Sequence, residues 1–218
     1  MTAALRLTAL LCTLAGPAAL LSSCCEGTPA PPGGAARRPD VLAIARQVAE
    51  RRFAGFTYGP RQDRRQIDCV QFTGAVMEDL LQRPLTRTET DALYIRYTFP
   101  DLNAAVAGDD PRTRGIQRAV TDFLHCGMAV PVSGVQAGDF VQYWIKGKTG
   151  QWAGHSAIVT RVYTDSAGPA AIAIYSSNKS TNGIAEMDFD GQGLSLRKPE
   201  RRFYFVRFTG TPESGAGK

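Results

Sequence analysis

The sequence predicts an α+β fold, and three observations lead there. Apolar residues recur at helical spacing in two stretches of the first half, 40–50 and 69–82. In the second half the period changes to two, across 138–145, 155–163, 170–177 and 203–208. Helices first and a run of antiparallel strands afterwards is the α+β arrangement.

A chain of 218 residues, 44% hydrophobic and 21% charged, is sufficient for one domain with a sizeable core and a leader. Its net charge of +5 is modest. The basic residues are scattered, and pairs such as Arg51-Arg52, Arg64-Arg65 and Arg201-Arg202 read as solvated faces. That pattern argues against nucleic acid as a partner, which calls for a basic stripe with interleaved aromatics. Weak attraction to anionic polymers or membrane surfaces is compatible with the charge.

Residues 1–23 carry Arg6 and then an apolar run, Leu7 to Leu21, interrupted by Gly16-Pro17. This is too short and broken for a comfortable membrane span and reads as an export signal. Leu21-Ser22-Ser23-Cys24 resembles a bacterial lipobox. That resemblance implies that Cys24 is diacylated and becomes the mature N-terminus, a lipid anchor facing an extracytoplasmic space. The alternative is a plain secretory signal cleaved nearby. Residues 24–39, rich in Gly, Ala and Pro, cannot bury apolar surface and form a tether. The folded domain is expected over 40–209, with a disordered tail at 210–218.

Within the domain, Asp40 caps a helix whose inner face is Val41, Ile44, Ala45 and Val48. The aromatic stretch Phe53 to Tyr58, broken by Gly59-Pro60, leads into a loop before Cys69. Asp68 caps a second helix from Cys69 to about Gln82, stopped by Pro84. Residues 84–134 read as a partly helical insert shaping one wall of a cleft. Helices are expected there over Thr88–Tyr97, capped by Thr88 or Asp91, and over Thr113–Leu124, with Ile116, Val120 and Phe123 or Leu124 inward. The strands follow, the first two joined by a Gly-rich loop from Lys146 to Gly154. Asp188-Phe189-Asp190-Gly191 lacks the remaining ligand positions of a calcium loop and reads as a turn.

Of the five cysteines, Cys12 lies in the signal, and Cys25, Cys69 and Cys126 remain beside Cys24. A Cys69–Cys126 disulfide is one possibility in an exported protein. With no CxxC and only His125 and His155, a His-rich zinc site cannot be assembled, and neither metal nor cofactor is implied. Cys69 in a first helical turn sits at the positive end of the helix dipole, which favours the thiolate. The adjacent Asp68 charge works against this, so a second base is needed. His155 opens a strand, and Ser176 and Asn178 share the face of Ile172 and Ile174 at the end of the next. A Cys–His nucleophile needs a polar group to orient the imidazole, and Asn is competent. Taken alone, Cys69 reads as a buried apolar residue, His155 as a structural histidine and Asn178 as a turn cap.

In this order the pieces resemble the NlpC/P60 superfamily of papain-like cell-wall peptidases and its CHAP amidase relatives. The matching residues are Tyr58-Gly59, Asp68-Cys69 with Phe72, Gly138-Asp139-Phe140-Val141, and Gly154-His155-Ser156-Ala157-Ile158-Val159. The resemblance covers roughly 41–182. It implies N-terminal helices packed on an antiparallel sheet and hydrolysis of amide bonds in peptidoglycan stem peptides in the bacterial envelope. It implies Cys69 as nucleophile, His155 as general base with a lowered Cys69 pKa, and Asn178 as third member. Tyr58 and Ser176 fall to the oxyanion side or cleft, and Ser176 and Asn182 rival Asn178. The chain departs from the family in Val70-Gln71, where Ser-Gly is usual, and in the long 84–134 segment. An acyltransferase using the same thioester and a non-catalytic wall-binding module are the alternatives.

Overall fold

The computed structural model describes residues 39–95 and 99–210. The expected export signal, Cys24, nearly all of the expected tether and the expected tail beyond 210 lie outside those residues. Helix α1 spans Val41–Phe53, and the Asp40 carboxylate accepts the Ala43 N–H at its N-terminus. Two short parallel strands, β1 (Thr57–Tyr58) and β2 (Gln66–Ile67), lead to helix α2 (Cys69–Leu81). Gln82 in the left-handed conformation ends α2, ahead of Pro84 as expected.

The insert departs most from its sequence pattern. Its first helix, α3, is Arg87–Leu93, capped by Thr86 in a reciprocal box with Glu89, and neither Thr88 nor Asp91 is the cap. Helix α4 (Leu102–Ala107), capped by Asp101, was not anticipated. The expected helix over 113–124 is broken. A 3-10 turn covers Pro111–Arg114, Gly115 takes φ +45°, and α5 (Ile116–Arg118) continues as a π-helical turn, Ala119–Phe123. Ile116, Val120 and Leu124 do face inward.

The strands are β3 (Gly127–Val130), β4 (Phe140–Lys146), β5 (Trp152–Asp165), β6 (Gly168–Asn178), β7 (Gly183–Met187), β8 (Leu194–Ser195) and β9 (Arg201–Phe208). Among the described residues they form one sheet in the order β3-β9-β4-β5-β6-β7, antiparallel throughout, with β8 on β6. The chain is therefore α+β. The expected loop over 146–154 is confined to 147–151, because β4 and β5 stay paired out to Lys146 opposite Trp152, and His155 lies within β5 rather than at its start.

Three cores hold the domain. Helices α1 and α2 pack Val48, Phe72, Val76 and Met77 on one face of the sheet, against Phe140, Ile158 and Val206. Phe72 meets Tyr175 of β6 edge-on at 5.6 Å. The opposite parity (Val141, Ala157, Val159, Ile172, Ile174 and Phe205) builds a second core with Val130, Val135 and Leu194. The turn after β3 touches β6, so the sheet curls round this second core. The third core fixes the insert, where Ile95, Val106, Phe99 and Leu102 cover Trp144, Trp152 and Tyr204. Polar bonds secure it: the Trp144 indole N–H donates to Thr113 O at 3.0 Å, and the Trp152 N–H to the Asn103 side chain at 2.8 Å.

The Gly-Asp pair ahead of β4 has a structural basis. Gly138 takes φ +89°, a region that L side chains disfavour. Asp139, 1% exposed, accepts two bonds from Arg207 of β9 at 2.8 and 2.9 Å and the Gln136 N–H at 2.9 Å. Removing one partner of a buried pair leaves the other uncompensated. Asp139→Ala is therefore expected to destabilise the domain by about 3 kcal/mol in urea unfolding; a loss under about 1 kcal/mol would show that the pair contributes little net stability.

Candidate functional site

The site begins with a gap in a ladder. Strands β5 and β6 are paired only from Ile158 opposite Tyr175 onward. Upstream, β5 keeps its pairing to β4, with Ser156 opposite Gln142. The N–H and C=O of one strand residue point to the same side, so the Ser156 pair points into the gap and must find partners there. The Ser176 hydroxyl donates to Ser156 O at 2.7 Å, and the Ser156 N–H faces the Cys69 sulfur, where it favours the thiolate. The gap is thus closed by a serine from β6 and by the first residue of α2.

The N-terminus of α2 is held just as firmly. Asp68 accepts the Gln71 N–H at 2.8 Å, and the Gln71 carboxamide accepts the Asp68 N–H at 3.0 Å, a reciprocal capping box. Gln71 also donates to Pro60 O at 3.0 Å. Gln71 therefore completes the cap that fixes Cys69. The Ser177 hydroxyl donates to Ile67 O at 2.6 Å, tying the segment before Cys69 to β6.

Around this junction lies a cleft of about 540 Å³. Cys69, His155, Ser156, Tyr58, Gly59 and Asp68 line it, together with Gln142 and Trp144. The insert contributes Asp91, Leu93, Tyr94, Ile95 and Leu102, so it does form one wall. Gly154 is needed because a Cβ there would lie 2.5 Å from the Trp144 ring, and a shifted indole would disturb the floor beside His155. A second cavity of equal volume, between α1 and α2, is lined by Arg51, Arg52, Glu78 and Asp79, whose charges pair with one another. It offers no reactive group.

Of the residues singled out in the sequence, Cys69, His155 and Tyr58 meet in this cleft. Asn178 sits behind it, its Nδ2 3.5 Å from His155 Nε2. The same carboxamide also serves its turn, its Oδ1 accepting the Ser180 N–H at 2.9 Å, so both roles expected of Asn178 fall on one side chain. Ser176 is not a cleft residue. It is fully buried, and its hydroxyl is committed to Ser156 O. Asn182 is exposed in the turn at φ +50°. Cys69 and Cys126 are free thiols, so the disulfide alternative does not hold. Among the described residues, no three His, Cys, Asp or Glu side chains cluster as a metal site would require.

Sequence reasoning missed Ser156, Ser177, Ser180 and Tyr143. The Tyr143 ring lies 5.3 Å from the His155 ring, centroid to centroid. The strand pattern carried some signal for Ser156, a polar residue on the parity of buried Ile158. For the others the sequence held none.

The electrostatics correct the expected lowered thiol pKa. Burial pushes the Cys69 thiol up to about 11, with the Asp68 charge adding to the rise and the Ser156 N–H opposing it. Burial pushes His155 down to about 4. Between these values the resting pair is a neutral thiol beside a neutral imidazole. The helix dipole does not overcome the loss of water around the sulfur.

The chain matches no protein-family model and no curated protein sequence.

An imidazole with a folded pKa of about 4 takes its proton later than the unfolded chain does, at about 6.5. The unfolded state thus binds more protons in that window, and stability falls as pH drops through it. The expected loss between about pH 6.5 and pH 4 is roughly 3 kcal/mol more than in a His155→Gln control, read from urea unfolding across pH. Parallel curves for the two proteins would place His155 in a solvated setting.

Proposed function

We propose that this protein is an exported cysteine hydrolase that cleaves amide bonds in peptidoglycan stem peptides, with a papain-like domain of the NlpC/P60 type. The observation that carries the reading is the meeting, in one cleft, of a cysteine opening a capped helix and a strand histidine backed by an asparagine. Cell-wall peptide as substrate rests on the resemblance of the motifs. The lipid anchor at Cys24 and a location in the bacterial envelope rest on the lipobox-like segment.

In this mechanism His155 takes the Cys69 proton as the sulfur attacks the amide carbon. The transfer accompanies attack, because the resting pair is neutral. A C–S bond forms and the carbonyl π pair moves to oxygen. The Cys69 N–H, in the unpaired first turn of α2, is placed to receive that oxyanion, with Tyr58 beside it. One such donor lowers the barrier by roughly 3 kcal/mol. The tetrahedral intermediate collapses as the C–N bond breaks, and the leaving amine takes the proton from His155. Water, deprotonated by His155, then attacks the thioester, releasing the acid and restoring the thiol. An amine acceptor in place of water would give acyl transfer through the same thioester.

Purified peptidoglycan digested with the wild-type domain should yield peptides with new amine and carboxyl termini by mass spectrometry. Cys69→Ala should yield none while unfolding at an unchanged urea midpoint, within about 1 kcal/mol. A folded Cys69→Ala protein with wild-type products would overturn the hydrolase reading.

The anchor has its own test. Cys24→Ala should shift the protein from the membrane fraction to the soluble fraction or block its processing. Unchanged membrane retention and mature mass would remove the lipid from the proposal.

A further inference from the structure

The Asn178 carboxamide is where the geometry and the proposed chemistry pull apart. A backbone N–H can only donate, so the Asn178 atom 2.9 Å from the Ser180 N–H is the oxygen. The other end of the carboxamide, the Nδ2 amide, then faces His155 Nε2 at 3.5 Å. Two donors at that separation repel, so Nε2 must present its lone pair and the proton resides on Nδ1. The Ser180 hydroxyl, 2.9 Å from Oδ1 and 3.6 Å from Met187 Sδ, can donate or accept. It therefore does not decide the orientation. The Ser180 peptide does.

We propose that the Ser180 N–H, acting through the Asn178 carboxamide, holds resting His155 in its Nδ1–H tautomer, and that the carboxamide must turn over before His155 can serve as base. The second half rests on the hydrolase reading above; the first does not. With Nε2 facing Asn178, Nδ1 is the nitrogen left for the Cys69 proton, and in the resting tautomer it is occupied. Turning the carboxamide over brings Oδ1 to a protonated Nε2 and frees the Nδ1 lone pair. The exchange moves no net charge: one proton leaves Nδ1 to solvent and one is gained at Nε2. Its cost is the lost Ser180 N–H bond, which makes Ser180 a positioning residue. Burial of His155 acts in the same direction, since it too opposes the imidazolium. The titratable neighbours are Cys69 and the Tyr143 phenol, and burial raises the pKa of both, so each is neutral with His155 at pH 7.

The tautomer is read directly from imidazole 15N shifts in protein carrying 15N-labelled histidine at pH 7. The two histidines of the chain are told apart by His125→Gln. Wild type should show a protonated Nδ1 and a bare Nε2 at His155. Asn178→Asp should invert the pattern, because a carboxylate can accept the Ser180 N–H with one oxygen and Nε2–H with the other. Ser180→Ala, which keeps the N–H, should retain the wild-type pattern. A bare Nδ1 in wild type would overturn the proposal, and inversion by Ser180→Ala would move the lock from the peptide to the hydroxyl and overturn it as stated. These readings need no turnover, so they stand apart from success or failure of the peptidoglycan digestion. Asn178→Asp should also raise the rate of Cys69 alkylation at pH 7 by about tenfold, since a carboxylate holding Nε2–H leaves Nδ1 free to take the Cys69 proton as the sulfur reacts. An inverted tautomer without faster alkylation would overturn the claim that the carboxamide limits the pair.

Discussion

The Ser156 peptide is the constraint on which the rest of the site depends. Its N–H and C=O face a gap where β5 has parted from β6, and a buried peptide cannot be left without partners. The C=O takes a side chain from β6, and the N–H faces the sulfur of Cys69. The hydrogen bonds that a continuous ladder would have used internally are spent on docking a helix N-terminus into a sheet. Had β5 and β6 stayed zipped to their ends, Cys69 would have no place beside His155. The two adjacent serines of β6 divide the work by parity. Ser176 holds the β5 peptide on one side, and Ser177 holds Ile67, two residues before Cys69, on the other.

This arrangement explains why the motifs are what they are. Gly154 is set by the Trp144 ring, and Trp144 is set by the insert, whose Thr113 carbonyl takes the indole N–H. The 84–134 segment is thus part of the cleft by construction, since its own small core rests on the residues that floor the site. Asp139 clamps the start of β4 to β9 through Arg207. The Gly-Asp and Gly-His pairs look alike as sequence, yet one closes the fold and the other shapes the pocket.

Legibility followed the range of the interactions. Helices α1 and α2 were readable, apart from the last three residues of α1, because their caps and apolar spacing are local. The central strands were readable as strands, but their ends were not, since a strand ends where its partner does. The insert was misread because α3 takes its cap from Thr86, in a box closed by Glu89 across the helix start, and because Gly115 at φ +45° cuts what looks like one helix. Cys69 and His155 could be picked out as candidates by residue type, though only Cys69 opens its element, since β5 begins at Trp152. Ser180 could not, since it acts through its peptide N–H, which every residue but proline carries.

The lowered thiol pKa failed for a related reason. From sequence, a helix N-terminus and a histidine both argue for a thiolate, and both are local features. Burial is not local, and here it dominates: the insert, the sheet and α2 together exclude water from the sulfur and the imidazole. In so dry a setting an ion pair lacking further donors is costly, and the neutral pair is the resting form. The same dryness strengthens any dipole that a bound substrate brings. An amide entering the cleft would offer a carbon for the sulfur and an oxygen for the Cys69 N–H at the moment the proton moves. Charge would then appear only where it is immediately met. A site built this way keeps its thiol protonated, and a standing thiolate is the form most exposed to oxidation.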